Sequence, residues 1–274
     1  MKLHVLRCGT VSLPESAAFG GKPGGLRRLL TREGRVELPV FCYLVEHRHG
    51  LILVDTGLSR EMSPAGVYDK KAAEQALTPQ LAAFYRPWVP MGMTAAEQLA
   101  DRGILPQDLD LVILTHLDPD HVAGLSGLRG AKKILLPEDE YFWSCRTVYK
   151  RRQPWKLWMD ADITRVFYRG SSLGPNRWAI DVFGDESLQL VNVPGHTDGQ
   201  CAVILREGAR FVILAADAAF SPRNWREDSV PGFGFDRDLQ RRSLRWLAEM
   251  EKDPGCAAIL CSHDPAVEAQ VMEF

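Results

Sequence analysis

Length, composition and charge set the first limits on this chain. Its 274 residues suit one large unit, and we expect a single domain over residues 1–274. Hydrophobic residues make up 46% and charged residues 25% of the chain, which is ordinary for a globular protein and argues against long disorder. The formal net charge of −2 gives no reason to expect nucleic acid or an anionic membrane as a partner. The short basic run at 150–152 predicts a solvated face.

Targeting and redox signals are weak. Residues 1–21 lack the apolar stretch of a signal peptide, and no uncharged apolar run approaches the roughly 18 residues needed to cross a bilayer. We therefore expect a cytoplasmic protein. The six cysteines are scattered without a Cys-x-x-Cys pair, which favours buried free thiols over zinc ligation or disulfides.

Strand signals come first in the first half of the chain. Apolar runs and a polar turn predict a hairpin with strands at 40–46 and 51–54, the second leading directly into Asp55. The continuous apolar run at 111–115 predicts a strand buried on both faces.

Helix signals follow the strands in each half. Residues 68–103 are rich in Ala, Leu, Glu and Gln, with Thr94 and Glu97 as a capping box and Gly103 as a C-cap. Apolar residues at helical spacing predict a second helix within 239–250.

The second half repeats the pattern of strands before helix. A strand is predicted at 187–193, a hairpin within 201–217 and a last strand at 256–261. An aromatic-rich insertion near 141–178 separates the halves and predicts either a wall over a pocket or a contact in a homodimer. Two mixed sheets covered by helices would accommodate this α/β pattern.

Potential metal ligands follow four of the predicted strands. Rigid strands hold functional groups at their ends, so residues from separate strand-end loops can meet at one edge of a sheet pair. One such residue would be weak support for a metal site, whereas four of the chain's seven histidines occupy these ends. The candidates are His116, Asp118, Asp120 and His121 after the first of these strands, and then His196, Asp217 and His263.

This order of residues resembles the metallo-β-lactamase superfamily of hydrolases. The matching motifs are H-x-D-x-D-H at 116–121, "PGHTDG", "LAADA", "CSHDP" and, further upstream, "LILVDTG" at 51–57. The resemblance extends over about residues 2–264. It implies an αββα sandwich of two mixed β-sheets flanked by helices, with two divalent metal ions at one edge.

The resemblance also implies a role for each candidate. A hydroxide held between the two ions would attack an ester-type carbonyl, and Asp120 would be the catalytic carboxylate. Asp55 would accept a ring N–H from a ligating histidine. The first ion would be held by His116, Asp118 and His196 and the second by Asp120, His121 and His263, with Asp217 between them.

Asp118 departs from the family pattern H-x-H-x-D-H, which has histidine at this position. An ionised carboxylate there lowers the net positive charge of the centre and favours a neutral substrate. Zinc is the expected ion, with iron or manganese as alternatives because carboxylate oxygen suits them better than imidazole does. A shorter aspartate that does not reach the ion is the other interpretation of Asp118.

The chain begins "MKLHVLRCGT" and carries "GILPQDLDLVILTHLDPDHVAGL", and in these segments it resembles the N-acyl homoserine lactonases within the superfamily. A small-molecule lactone is therefore the expected substrate, with a thioester, a phosphoester or flavodiiron-like redox chemistry as alternatives. Phe220 stands three residues after Asp217, where those lactonases usually have a tyrosine, and it cannot donate a hydrogen bond to the substrate.

Overall fold

A computed structural model of the chain describes residues 1–20, 34–146 and 152–274, which form two β-sheets packed face to face. The strands are β1 Lys2–Pro14, β2 Arg35–His47, β3 Gly50–Val54, β4 Leu111–Ile113, β5 Ile134–Pro137, β6 Ile163–Val166, β7 Arg169–Gly170, β8 Trp178–Asp181, β9 Leu188–Asn192, β10 Cys201–Glu207, β11 Arg210–Leu214, β12 Cys256–Leu260 and β13 Val271–Glu273. Sheet one has the order β13-β1-β2-β3-β4-β5-β6, and sheet two has the order β12-β11-β10-β9-β8-β7.

Helices cover the outer faces of both sheets. Across the described ranges, no helix is both long and apolar enough for a membrane crossing. The α-helices are α1 Glu15–Phe19, α2 Lys70–Ala76, α3 Pro79–Tyr85, α4 Ala95–Ala100, α5 Pro119–Val122, α6 Glu138–Cys145, α7 Arg223–Arg226 and α8 Arg237–Met250. Single 3-10 turns occur at Arg60–Met62, Pro106–Asp108, Ala123–Gly127, Trp155–Leu157 and Ala216–Ala218.

Four apolar clusters of described residues stabilise the sandwich, one of them around α2 and α3. Between the sheets, side chains such as Val54 and Ile113 of sheet one pack with Leu190 and Val203 of sheet two. Another cluster lies under α4, and another lies under α8. Because each sheet mixes parallel and antiparallel pairs, the predicted αββα sandwich of two mixed sheets is confirmed.

Two of the strands that lead to the centre are buried on both faces. β4 and β9 have every residue buried, as the continuous apolar run of β4 predicts. β3 and β4 are parallel, with Val54 opposite Ile113. Their carboxyl ends therefore meet at the same edge of sheet one.

The helix predicted over 68–103 is three shorter helices. α2 ends before Thr78, which is extended because the residue before Pro79 is pushed out of the helical region. α3 ends at a left-handed Arg86, with a φ of 42°. The capping box of Thr94 at the start of α4 is confirmed. The C-cap is Asp101 rather than Gly103, which lies in the following turn.

The aromatic-rich insertion is part of both sheets. It contains α6, contributes β6 to an edge of sheet one and β7 to an edge of sheet two, and reaches β8. Trp143 and Trp158 are buried, whereas Phe142 and Phe167 are exposed. Residues 147–151 of the insertion lie outside the described residues.

The loop after β3 packs directly on the segment that follows β4. Thr56 donates its backbone N–H and its hydroxyl to the carbonyl of His121, at 2.8 Å and 2.9 Å. Gly124 donates its N–H to the carbonyl of Gly57 at 2.9 Å. A Cβ on Gly124 would lie 2.0 Å from the carbonyl oxygen of Thr56. The absence of a side chain at this position therefore allows the two loops to touch.

We predict that Gly124→Ala destabilises the protein by about 1–3 kcal/mol or more, because the methyl group must force these loops apart. Urea denaturation measures the change. Gly170→Ala is the matched control, since nothing lies within 4 Å of its added Cβ, and it should stay within about 0.5 kcal/mol of wild type. Equal stability of the two variants would contradict the close packing of the loops.

Candidate metal centre

Four strand ends deliver buried polar side chains to one edge of the sandwich. β4 of sheet one leads into the loop and helix that carry His116, Asp118, Asp120 and His121. β9, β11 and β12 of sheet two each lead into one further residue. Every one of these side chains is buried, and the three from sheet two are His196, Asp217 and His263.

Six of the seven candidates form two groups of three that Asp217 connects. Asp217 Oδ1 lies 3.1 Å from His121 Nε2 and 3.2 Å from His263 Nε2. Its other oxygen, Oδ2, lies 3.3 Å from His196 Nε2. Asp217 therefore faces both groups with one oxygen each. The first group is His116, His196 and Asp217, and the second group is Asp120, His121 and His263.

All four histidines turn the same nitrogen toward the centre. Each ring hydrogen-bonds through Nδ1 to an oxygen atom, so a neutral ring carries its proton on Nδ1 and its lone pair on Nε2. The oxygen partners are Thr115 Oγ1 for His116 at 3.1 Å, Asp55 Oδ2 for His121 at 2.8 Å, the Phe233 carbonyl for His196 at 3.0 Å and the Pro39 carbonyl for His263 at 2.8 Å.

Most of the inward atoms lack a hydrogen-bond partner within the described part of the chain. An unpaired buried polar group costs about 1–3 kcal/mol, so a cluster of them calls for a ligand. Lone pairs that face one another at about 3 Å repel, and a divalent cation is the partner that fits imidazole nitrogens and carboxylates together. The atoms concerned are Nε2 of His116, His121 and His263 and Oδ1 of Asp120 and Asp217.

The electrostatics of His121 point the same way. Burial lowers the pKa of His121, but the carboxylates of Asp217 and Asp55 outweigh burial and hold that pKa well above its usual value. The cluster therefore requires positive charge at this nitrogen. A proton supplies it when no metal ion is bound, and metal binding displaces that proton.

Asp55 orients two of the histidines. Its φ of 57° turns the chain at the end of β3. Oδ1 accepts the backbone N–H of Thr115 at 2.8 Å, and Oδ2 accepts the Thr115 hydroxyl and His121 Nδ1 at 2.8 Å each. Because the Thr115 hydroxyl contacts His116 Nδ1 at 3.1 Å, Asp55 holds His121 directly and His116 through Thr115.

Asp118 lies at the centre with its carboxylate engaged by Arg152. Arg152 Nε lies 2.9 Å from Oδ1, and Nη2 lies 2.7 Å from Oδ2. Gln153 Nε2 donates a further hydrogen bond to Oδ1 at 3.1 Å. Burial raises the pKa of Asp118, but the guanidinium outweighs it and holds that pKa well below its usual value. Asp118 belongs to neither group, and its assignment as a metal ligand stays a prediction.

Arg152 overturns two expectations from the sequence. The prediction of a solvated basic run is wrong at Arg152, whose side chain is 13% exposed because its guanidinium pairs with Asp118; residues 150 and 151 lie outside the described residues. The predicted loss of positive charge through Asp118 is also wrong. The buried pair of Asp118 and Arg152 is neutral as a whole, as an imidazole would be.

Phe220 forms part of the wall of the centre. Its ring stacks on the imidazole of His263, with centroids 4.9 Å apart, and lies edge-on to His196 at 6.1 Å. The side chain is buried and carries no donor. Phe220 therefore packs against the rings of two candidate ligands without donating a hydrogen bond to either.

Glu140 supports the loop of the centre, and the sequence analysis missed it. Thr197 donates its hydroxyl to Oε2 at 2.6 Å, and Gln153 Nε2 and the backbone N–H of Leu117 donate to Oε1 at 2.9 Å and 3.2 Å. Burial raises the pKa of Glu140 to about 7, although these hydrogen bonds lower it. Its place within the acidic start of α6 resembles a capping pattern, so no local signal sets it apart.

We predict that Asp55→Asn lowers the affinity for zinc about 10- to 100-fold, because the amide presents a donor to His121 Nδ1–H. Asparagine tolerates the positive φ at this position, so the backbone is retained. A titration against a competing chelator measures the affinity. Asp110→Asn is the matched control, because Asp110 directly precedes β4 and its carboxylate also accepts a backbone N–H, that of Leu51. Equal affinities of the two variants would rule out the positioning role of Asp55.

We predict that Glu140→Gln removes a loss of stability that the wild type suffers as the pH rises. The folded pKa of about 7 lies above the ordinary value of 4.5, so the folded protein binds more protons between these values and becomes less stable as the pH increases through that window. Glutamine keeps the shape of the protonated side chain. Urea denaturation from pH 5 to pH 8 should show a gain of up to about 3 kcal/mol for the variant. A pH-independent difference would contradict the raised pKa.

Comparison with known proteins agrees with this geometry. A family model described as the metallo-beta-lactamase superfamily matches residues 35–263. An N-acyl homoserine lactonase of Bacillus cereus is 30% identical over 255 residues, covering 91% of this chain and 88% of the relative. The N-acyl homoserine lactonase AttM of Rhizobium radiobacter is 26% identical, covering 84% of this chain and 83% of AttM.

Solved structures share the fold. AiiA of B. thuringiensis, with N-decanoyl-L-homoserine bound at its active site, has a TM-score of 0.75 at 22% identity, covering 96% of this chain and 93% of AiiA. AidC, described as a dizinc quorum-quenching lactonase, has a TM-score of 0.64 at 17% identity, covering 96% of this chain and 87% of AidC. The resemblance seen in the sequence is confirmed, and the chain belongs to the metallo-beta-lactamase superfamily.

Proposed function

We propose that this protein is a metal-dependent hydrolase that opens a lactone, with N-acyl homoserine lactones as the substrate class. The observation that carries the hydrolase assignment is the cluster of unpaired histidine Nε2 and aspartate Oδ1 atoms at the edge of the sandwich. The relatives named N-acyl homoserine lactonase, at 26–30% identity over most of the chain, support the lactone. Because Asp118 is paired with Arg152, its carboxylate adds no net negative charge to the centre.

The residues of the two groups fit a divalent ion, and we infer zinc because imidazole nitrogen and carboxylate oxygen are both common zinc ligands. The ion would supply Lewis acidity and an activated water. The second group offers three donor atoms, the number that a catalytic zinc usually takes from its protein, which would leave a fourth position for water.

The protein's own groups would bind, orient and exchange protons around the scissile ester. Asp120 directs Oδ2 to 3.4 Å from His263 Nε2 and leaves Oδ1 without a hydrogen bond. Oδ1 can therefore take up a proton and return it to the alkoxide that leaves when the ring opens. Phe220 excludes water beside His263 and offers no hydroxyl to the substrate, so the carbonyl must be polarised by other groups.

We predict that the purified, zinc-loaded protein hydrolyses N-acyl homoserine lactones and that Asp120→Asn or His263→Ala lowers kcat/KM at least about 100-fold. Each change removes a donor of the second group. Release of the carboxylic acid, followed with a pH indicator, measures the rate.

Asp110→Asn is the control for these variants, because Asp110 pairs with Lys132 away from the centre, and it should keep the wild-type rate. If the protein hydrolyses a thioester or a phosphoester but no lactone, the proposed substrate class is wrong. Iron in the isolated protein with turnover of oxygen would refute the hydrolase itself.

A further inference from the structure

The two groups of the metal centre are not equivalent, because Arg152 contacts only the first. Arg152 Nη2 lies 2.7 Å from Nε2 of His196, closer than any other distance that the structure gives between that nitrogen and a side-chain atom. The Nε2 atoms of His116, His121 and His263 have no hydrogen-bond partner within the described residues. The imidazole of His196 is thus the one that already has a partner for its inward nitrogen.

The chemistry of His196 shows which atom donates in this contact. Its Nδ1 lies 3.0 Å from the carbonyl oxygen of Phe233, which can only accept, so Nδ1 carries the ring proton. Nε2 of the neutral ring is then an acceptor. The ionised Asp118 Oδ2, 3.0 Å away, has no proton to donate to it, whereas the guanidinium of Arg152 has only donors. Arg152 therefore donates to the lone pair that a metal ion in the first group would need.

Three further contacts hold the guanidinium at that lone pair. The two carboxylate oxygens of Asp118 accept hydrogen bonds from Nε and Nη2 of Arg152, at 2.9 Å and 2.7 Å. The ring of Phe233 lies under the guanidinium with 4.2 Å between Cζ and the ring centroid, and the ring of Trp143 lies 5.5 Å away. A buried arginine with a paired carboxylate and an aromatic support is a fixed charge rather than a mobile surface side chain.

We propose that Arg152 is the resident cation beside the first group, so that the protein holds one metal ion tightly, in the second group, and the guanidinium occupies the lone pair of His196 that a second ion would need. In this arrangement Asp118 is the anchor of Arg152 and not a metal ligand. This inference rests on the proposed function in so far as it concerns the same centre.

The reason lies in competition for one lone pair and in charge. His196 Nε2 serves either an Arg152 N–H or an ion, and the guanidinium adds like-charge repulsion against any ion near it. The second group has no such competitor, because Asp120, His121 and His263 have no arginine or lysine among their hydrogen bonds and ion pairs in the described chain. Asp217 Oδ1 also faces the second group.

The test counts metal ions without any substrate. Metal-free protein is titrated with Zn²⁺, passed through a desalting column and analysed for zinc by mass spectrometry. We expect about one tightly held ion per wild-type chain and about two for Arg152→Gln, which frees His196 and Asp118. Arg152→Lys retains a positive charge, so this variant should bind about one zinc ion per chain. Comparing the two variants shows whether the charge at position 152 or the shape of the side chain limits zinc binding.

Arg165→Gln is the matched control, because Arg165 lies in the same insertion and pairs with Glu138 at a half-exposed site; it should hold about one ion. Two ions of similar affinity in the wild type would overturn the proposal, whether or not Arg152→Gln folds. A single ion in a folded Arg152→Gln variant would overturn it as well.

A spectroscopic measurement identifies the site directly. With the wild type saturated in Zn²⁺, the ¹⁵N chemical shift of Nε2 should move to the metal-bound range for His121 and His263 and stay unchanged for His196. A metal-bound shift at His196 would contradict the proposal. Absence of lactone hydrolysis would refute the proposed function alone, because neither the zinc count nor the chemical shifts involve a substrate.

Discussion

The carboxylate of Asp55 is the contact on which the centre depends. Asp55 directly follows β3, at the edge where the parallel β4 also ends. Its carboxylate accepts three hydrogen bonds from the segment after β4. One anion thereby ties two strand-end loops together and sets the rings of His116 and His121. The bare backbone of Gly124 allows the same loops to approach closely, so sheet packing and metal-site geometry are one constraint.

The centre combines groups that would be unstable alone. Buried imidazoles and carboxylates are costly unless each polar atom has a partner. Oxygen atoms of the chain accept a hydrogen bond from Nδ1 of each of the four histidines of the centre, and Asp118 is paired with Arg152. The inward-facing atoms that remain are available to a cation. The outer atoms thus give the rings a fixed orientation, and the inner atoms give the site its affinity for positive charge.

The positions of the seven candidates after apolar strands predict that they meet at one edge, and the resemblance to the superfamily implies the sandwich. The sequence also predicts the start of α4, where the capping box is local. The break between α2 and α3 was missed, although Pro79 is a local signal for it. Arg152 could not be found in this way. Its basic neighbours are typical of a solvated face, and its pairing with Asp118 joins residues 34 positions apart that no local pattern relates.

The buried pair of Asp118 and Arg152 also constrains how such a sequence can change over evolution. Removing one partner of a buried ion pair leaves an uncompensated charge, which costs about 3–5 kcal/mol, a large part of the stability of most domains. A histidine at 118 would therefore be tolerated best after position 152 has lost its charge. The effect of each substitution depends on the residue at the other position. In this chain, a change from H-x-D-x-D-H to H-x-H-x-D-H therefore requires substitutions at both 118 and 152.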